Sequence, residues 1–273
     1  MAVTMAEISK LRAMTGAGMM DCKNALTEAN SDFDKAIEII RKKGQAIAAK
    51  RSDRQAAEGC VLAADKDGFA AIVAIKCETD FVAQNADFIA LTQSILDSAM
   101  AQQPASAEAL LALQINGRSI ADLITDRSGI TGEKMELGYY EFVKGTATVS
   151  YIHPGNKMAS IVAFNENLER QVARNVAMQA AAMNPVALNR ESVPANIIAT
   201  ELEIGKEKAR AEGKPEAMLE KIAQGRLNKF FQESTLMEQE LIMDNKINVG
   251  QYLKSKSASL VATDFKRVSL NQE

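Results

Sequence analysis

Tryptophan is absent, and one histidine, three cysteines and five prolines are all that the 273 residues hold of those types. Each shortage removes a class of function. A Ser–His or Cys–His hydrolase needs its histidine beside a nucleophile. His153 sits instead in His153-Pro154-Gly155-Asn156, a turn sequence between two strand-like runs, and reads as a solvated turn residue. The cysteines Cys22, Cys60 and Cys77 are odd in number, show no C-x-x-C spacing and lie in apolar surroundings. They read as reduced, buried thiols, which leaves no disulfide frame and no zinc site. No G-x-x-x-x-G-K-[ST] stretch exists, and Thr15-Gly16-Ala17-Gly18 fails as a dinucleotide loop because Asp21 stands where the third glycine is needed. Aromatics are only 5% and no basic stripe runs along the chain, which disfavours a nucleic-acid binder. The N-terminal stretch lacks an apolar signal-peptide core, and no run approaches the ~20 apolar residues of a membrane span. The expectation is a cytoplasmic protein without metal or cofactor that is not an enzyme.

What is present is ordinary for a folded chain: 47% hydrophobic and 25% charged residues with a net charge of −3. At about 150 residues per domain, the length suggests two folding units with room for a small third one. Residues 1–54 read as that small unit, all helical. Ile8, Leu11 and Thr15 share a face; Cys22, Ala25, Leu26 and Ala29 follow at helical spacing, then Phe33, Ala36, Ile37 and Ile40. Asp32 suits the cap of the third helix and Gly44 its stop. The stretch Arg41–Arg54 holds six bases against Asp53 and reads as a solvated helix end and linker, with a patch for an acidic partner as the alternative.

From Glu58 the period changes to strand, turn at Asp65–Gly68, strand and helix, the helix ending before Pro104. The same series recurs from Thr146 through the turn at His153 to a helix ending before Pro185. Two such units suggest an internal duplication of antiparallel sheet with helices, an α+β fold, over residues 55–144 and 145–273. Residues 105–133 read as a helical connection and Met135–Val143 as a further strand. In residues 194–232, Pro194, Gly213 and Pro215 punctuate two helices whose seven bases and six acids nearly balance. They read as a projecting antiparallel hairpin, an interaction element with no pocket, suited to pairing two copies or supporting a partner. A last helix near Val249–Lys256 and a strand-like Ser259–Val268 close the chain.

Two stretches resemble a known family. Thr15-Gly16-Ala17-Gly18-Met19-Met20-Asp21-Cys22-Lys23-Asn24-Ala25-Leu26 is similar to the N-terminal signature of bacterial elongation factor Ts, and Glu78-Thr79-Asp80-Phe81-Val82-Ala83 to its second signature. The resemblance covers essentially the whole chain. It implies a ubiquitin-associated-like three-helix domain, a duplicated core and guanine-nucleotide exchange on elongation factor Tu, with no nucleotide bound by the chain itself. It also implies contacts through Arg12, Met19 and Met20, and disturbance of the partner's magnesium site by Thr79, Asp80, Phe81 and Val82. On residues alone, Met19 and Met20 fit a small core as well as an outward face. Phe81 likewise fits a core aromatic as well as a wedge, and Asp80 fits a helix cap. Two family sites depart from the usual pattern. Gln179 stands where a histidine is common, and Gln239-Glu240-Leu241-Ile242-Met243 replaces Gln-Pro-Phe-Val, keeping Ile242 and Met243 as an apolar pair; the resemblance implies further partner contacts at Gln179, Ile242 and Met243. The competing reading is a protein-binding adaptor without exchange activity; a cysteine enzyme using Cys22 or Cys77 is a third.

Overall fold

Thr4 and Glu7 open the first helix reciprocally. The Glu7 N–H donates to the Thr4 hydroxyl at 3.3 Å, and the Thr4 N–H donates to the Glu7 carboxylate at 2.8 Å. The computed structural model describes residues 3–271. Its elements in chain order are α1 (Met5–Thr15), α2 (Met19–Glu28), α3 (Phe33–Lys50), β1 (Glu58–Lys66), β2 (Phe69–Cys77), α4 (Asp80–Ala83), α5 (Ala86–Gln102) and α6 (Ala107–Ala112). There follow β3 (Gln114–Ile115), β4 (Arg118–Ser119), α7 (Ile120–Thr131), β5 (Glu136–Lys144), β6 (Ala147–Ile152), β7 (Met158–Phe164) and α8 (Arg170–Met183). The chain ends with α9 (Ala195–Ala211), α10 (Leu219–Ser234), β8 (Glu240–Leu241), β9 (Asp244–Asn248), α11 (Val249–Lys254) and β10 (Ala262–Ser269). Helix and sheet are mixed, an α+β class. No helix among the described residues is long and apolar enough to cross a membrane.

The chain forms two compact units, residues 3–62, 73–140 and 270–271 in one, 63–72 and 141–269 in the other. The first sheet has the order β1–β2–β5 and the second β6–β7–β10. Their connectivity is the same: two consecutive strands, then helix, then a later strand laid beside the second. In the second unit β6 and β10 flank β7 antiparallel, with Val149 opposite Val162 and Phe265 on its other side. Helix α8 covers this sheet with Val172, Ala173, Val176, Ala177 and Ala180, closing a core that includes Phe164, Leu236 and Leu253.

Of the expected inner faces of the first three helices, Ile8, Leu11, Cys22, Ala25, Leu26, Ala29 and Ala36 are buried in one cluster, while Thr15, Phe33, Ile37 and Ile40 are half-buried. Asp32 caps α3 as expected, its carboxylate accepting from the Lys35 N–H at 3.1 Å. The expected stop at Gly44 is wrong. Helix α3 continues to Lys50, and Gly44 lies buried inside it. Its lack of a side chain serves a helix crossing: a Cβ built on Gly129 of α7 would fall 2.2 Å from the Gly44 Cα. Glycine therefore marks a close approach here, at a propensity cost of about 1 kcal/mol that packing offsets. The helical connection expected over 105–133 is present as α6 and α7 but is interrupted by a short hairpin. Asn116 and Gly117, with φ of 51° and 75°, turn β3 onto β4 between α6 and α7. An Asn-Gly pair is the favoured sequence for so tight a turn.

Helices α9 and α10 pack on one another along their length, with a Cβ on Gly205 3.0 Å from the Ala223 Cα. At their base Ala187, Val193, Leu227 and Phe231 form a separate cluster, joined by Ile197, Ile198 and Leu202. Beyond Leu202 the pair is bound mainly to itself. Replacing residues 203–224 by a short Gly-Ser linker should therefore leave the thermal midpoint of the rest nearly unchanged. A large fall in differential scanning calorimetry would show that the outer half carries part of the core.

Candidate functional site

Strand β2 ends at Cys77, and the backbone turns at once into the single turn of α4. The residue that caps α4 is Thr79: its hydroxyl accepts from the Val82 N–H at 3.4 Å. Asp80, weighed as a cap from sequence, is instead the first residue inside the helix and is exposed. Phe81 follows it and is 84% exposed, the most open of the large hydrophobic side chains among the described residues. A core role for Phe81 is thereby excluded. Val82 is half-buried, and Ala83 points inward.

Two acidic side chains fix this turn from below. The Glu133 carboxylate accepts from the Glu78 N–H at 3.2 Å, the Thr79 N–H at 3.1 Å and the Thr79 hydroxyl at 2.6 Å. Glu78 returns the contact, accepting from the Lys134 N–H at 2.6 Å and from Arg51 and Arg54 at 3.2 Å each. The Lys134 N–H, seconded by Arg54 and Arg51, holds the Glu78 carboxyl below the usual carboxylate range. Arg51 and Arg54 thus spend their charge within the chain, which accounts for part of the basic run noted at 41–54. At the far end Asn85 caps α5, its side-chain oxygen accepting from the Asp87 and Phe88 N–H groups and from Arg127 at 2.9 Å.

The cysteine alternative fails on the same geometry. Burial pushes the Cys77 thiol up to about 12, with the charges of Glu133 and Glu58 adding to it, and burial pushes Cys60 up to about 11. Burial also raises Cys22. Neutral, buried thiols are poor nucleophiles at pH 7. Among the described residues no group of three or more His, Cys, Asp or Glu side chains could hold a metal ion.

The methionine pair divides. Met20, 64% exposed, faces outward on α2, and Arg12 of α1 is exposed as well, whereas Met19 packs against the helical core. Because α2 already fills its inner face with Cys22, Ala25 and Leu26, Met20 has no core to join. Met20→Ala should leave the thermal midpoint unchanged while weakening binding of a partner at this face by roughly 1–2 kcal/mol. Met19→Ala should lower the midpoint; equal midpoints for the two variants in a melting experiment would contradict the division.

In the second unit, Ile242 and Met243 form the turn between β8 and β9, 54% and 65% exposed. Gln179 does not lie beside them on the surface. It is 1% exposed, accepts from the Ile242 N–H at 2.9 Å and donates to the Glu240 carbonyl at 3.1 Å and the Gln239 side chain at 3.3 Å. Expected as a direct contact, it is instead almost wholly buried and supports the apolar turn from beneath. Gln239, also buried, donates to the Met183 and Glu233 carbonyls. The missing proline leaves a well-defined hairpin turn. Sequence reasoning missed Glu133 and Arg127, whose partners lie some fifty and forty residues away along the chain.

Residues 78–272 match the family model described as Elongation factor TS. The chain is 63% identical over 274 residues to the Elongation factor Ts of Porphyromonas gingivalis, covering all of both proteins. It is 53% identical, again over the full length of both, to that of Azobacteroides pseudotrichonymphae. To the Flavobacterium psychrophilum protein of the same name it is 48% identical over 98% of each chain.

Proposed function

The chain belongs to the elongation factor Ts family of translation elongation factors, and from that premise we propose that it binds elongation factor Tu carrying GDP and promotes its exchange for GTP. The observation that carries this reading is Phe81, a large apolar ring displayed to solvent on a turn pinned at both ends. An exposed Phe gains nothing for the chain's own stability, so its value lies in a partner. Thr79, Asp80, Phe81 and Val82 disturb the partner's magnesium and phosphate site. Residues 1–54, the ubiquitin-associated-like domain, add Arg12 and Met20, with Met19 supporting them. Core residues 55–144 supply the wedge, and residues 145–273 supply Ile242 and Met243 with the helical hairpin.

The mechanism is linkage. If the chain weakens the partner's hold on GDP by some ratio, GDP weakens the chain's hold by the same ratio. Contacts must therefore be made that cannot coexist with an ordered magnesium and phosphate loop. No covalent bond is made or broken, and each tenfold of release requires about 1.4 kcal/mol of differential contact. The test is stopped-flow release of fluorescent GDP from elongation factor Tu after addition of the chain. Accelerated release supports the proposal; binding without acceleration would instead favour an adaptor.

A further inference from the structure

We propose that Glu133 and Arg127 are positioning residues for Phe81, clamping the turn 79–85 at its two ends so that the ring can bear load. This rests on the wedge reading above and adds to it the parts that hold the wedge. Phe81 touches too little of its own chain for packing to aim it. Its direction depends on the backbone of α4, four residues long, and one isolated turn is unstable in water. What fixes that turn is borrowed from α7 and the residue pair after it. Glu133 takes two backbone N–H groups and the capping hydroxyl of Thr79 at the entrance. Arg127 holds the Asn85 side chain at 2.9 Å and the Asp87 carboxylate at 3.2 Å at the exit. The Glu133 segment is itself immobilised, because the next N–H, that of Lys134, donates to Glu78 at 2.6 Å. Between these anchors Ala83 is the one buried side chain of the helix.

A wedge transmits binding energy into distortion of its target only if its own base does not yield. A base held by charge-assisted bonds meets that demand without burying the aromatic ring. A carboxylate at 133 suits the role: it can accept three bonds at once, and a neutral amide oxygen accepts fewer and weaker ones.

The test measures labelled GDP release from elongation factor Tu with the full chain carrying Glu133→Ala, Glu133→Gln or Arg127→Met, each with and without Phe81→Ala. Glu133→Ala should slow release on the order of tenfold, and Glu133→Gln by less, because one acceptor oxygen remains. In the Phe81→Ala background both effects should vanish, since a clamp without a wedge has nothing to aim. Hydrogen exchange at the Glu78 and Thr79 amides should accelerate in Glu133→Ala. Losses that persist undiminished without the Phe81 ring, or release unchanged despite faster amide exchange, would overturn the inference. Should Glu133→Ala not fold, the Arg127→Met cycle decides by the same criterion. Release indifferent to Phe81→Ala alone would remove the wedge and this inference with it. That result is distinct from a normal Phe81 effect with additive Glu133 losses, which removes only the clamp.

Discussion

Phe81→Ala is expected to slow release of labelled GDP from the partner by tenfold to a hundredfold while leaving the chain's thermal midpoint where it is. The two halves of that outcome follow from one fact, the 84% exposure of the ring. A side chain in water in the free chain contributes little to folding, so its removal creates no cavity. Buried against a partner, the same ring is worth about 1.5–3 kcal/mol. If that energy displaces magnesium, its loss appears in the release rate, where about 1.4 kcal/mol is a factor of ten. Affinity for nucleotide-free partner should suffer less, because the contacts proposed for Met20, Ile242 and Met243 would remain and no ion would have to be displaced. Asp80→Ala should act in the same direction but more weakly, as water can replace much of an exposed carboxylate's bonding. Stopped-flow release measured beside equilibrium binding separates the two quantities. Unchanged release with a reduced midpoint would show that the ring serves the fold.

What could be read in the residues was whatever a single element carries on its own face. The inner stripe of α2 was legible because Cys22, Ala25 and Leu26 recur at helical spacing, and the outward Met20 followed by subtraction. Met19, one position earlier, turns partly to the core, a difference of 100° that subtraction cannot resolve. The Asp32 cap was legible because capping is local chemistry. Gly44 was misread because its reason lies in α7, whose Gly129 crosses it, and a crossing leaves no mark in either helix alone. The burial of Gln179 is hidden from the sequence for the same cause: its three partners all belong to the segment 239–242. The Asn116–Gly117 turn is a different failure. Its signal was local and present, but the flanking strands are two residues each, too short for alternation to announce them. For Phe81 the motif resemblance pointed outward where composition left a core role open, and the clamp of Glu133 and Arg127 beneath it was invisible from either end.

Gly129→Ala should destabilise the first unit by about 1–3 kcal/mol net, although alanine is the better helix former by about 1 kcal/mol. The added methyl would lie 2.2 Å from the Gly44 Cα and 3.0 and 3.2 Å from its carbonyl carbon and oxygen. Backbone atoms cannot rotate away as a flexible side chain would, so one helix must move. Helix α7 is not free to do so: Arg118 is paired with Asp126, Arg127 holds Asn85, and Ser119 caps its start. The strain therefore falls on α3, which must lift from α7 and carry α1 and α2 with it. Gly44→Ala provides the control, because its methyl would meet the Gly129 Cα at 3.4 Å, an ordinary contact. That variant should be near neutral, the gain in helix propensity balancing slight crowding. Urea unfolding of the two variants beside the parent chain measures the difference. An alanine at 129 that raises stability as much as one at 44 would mean that α3 and α7 do not cross at these glycines. The longer helix that replaced the expected stop at Gly44 would then need another partner to explain its buried glycine.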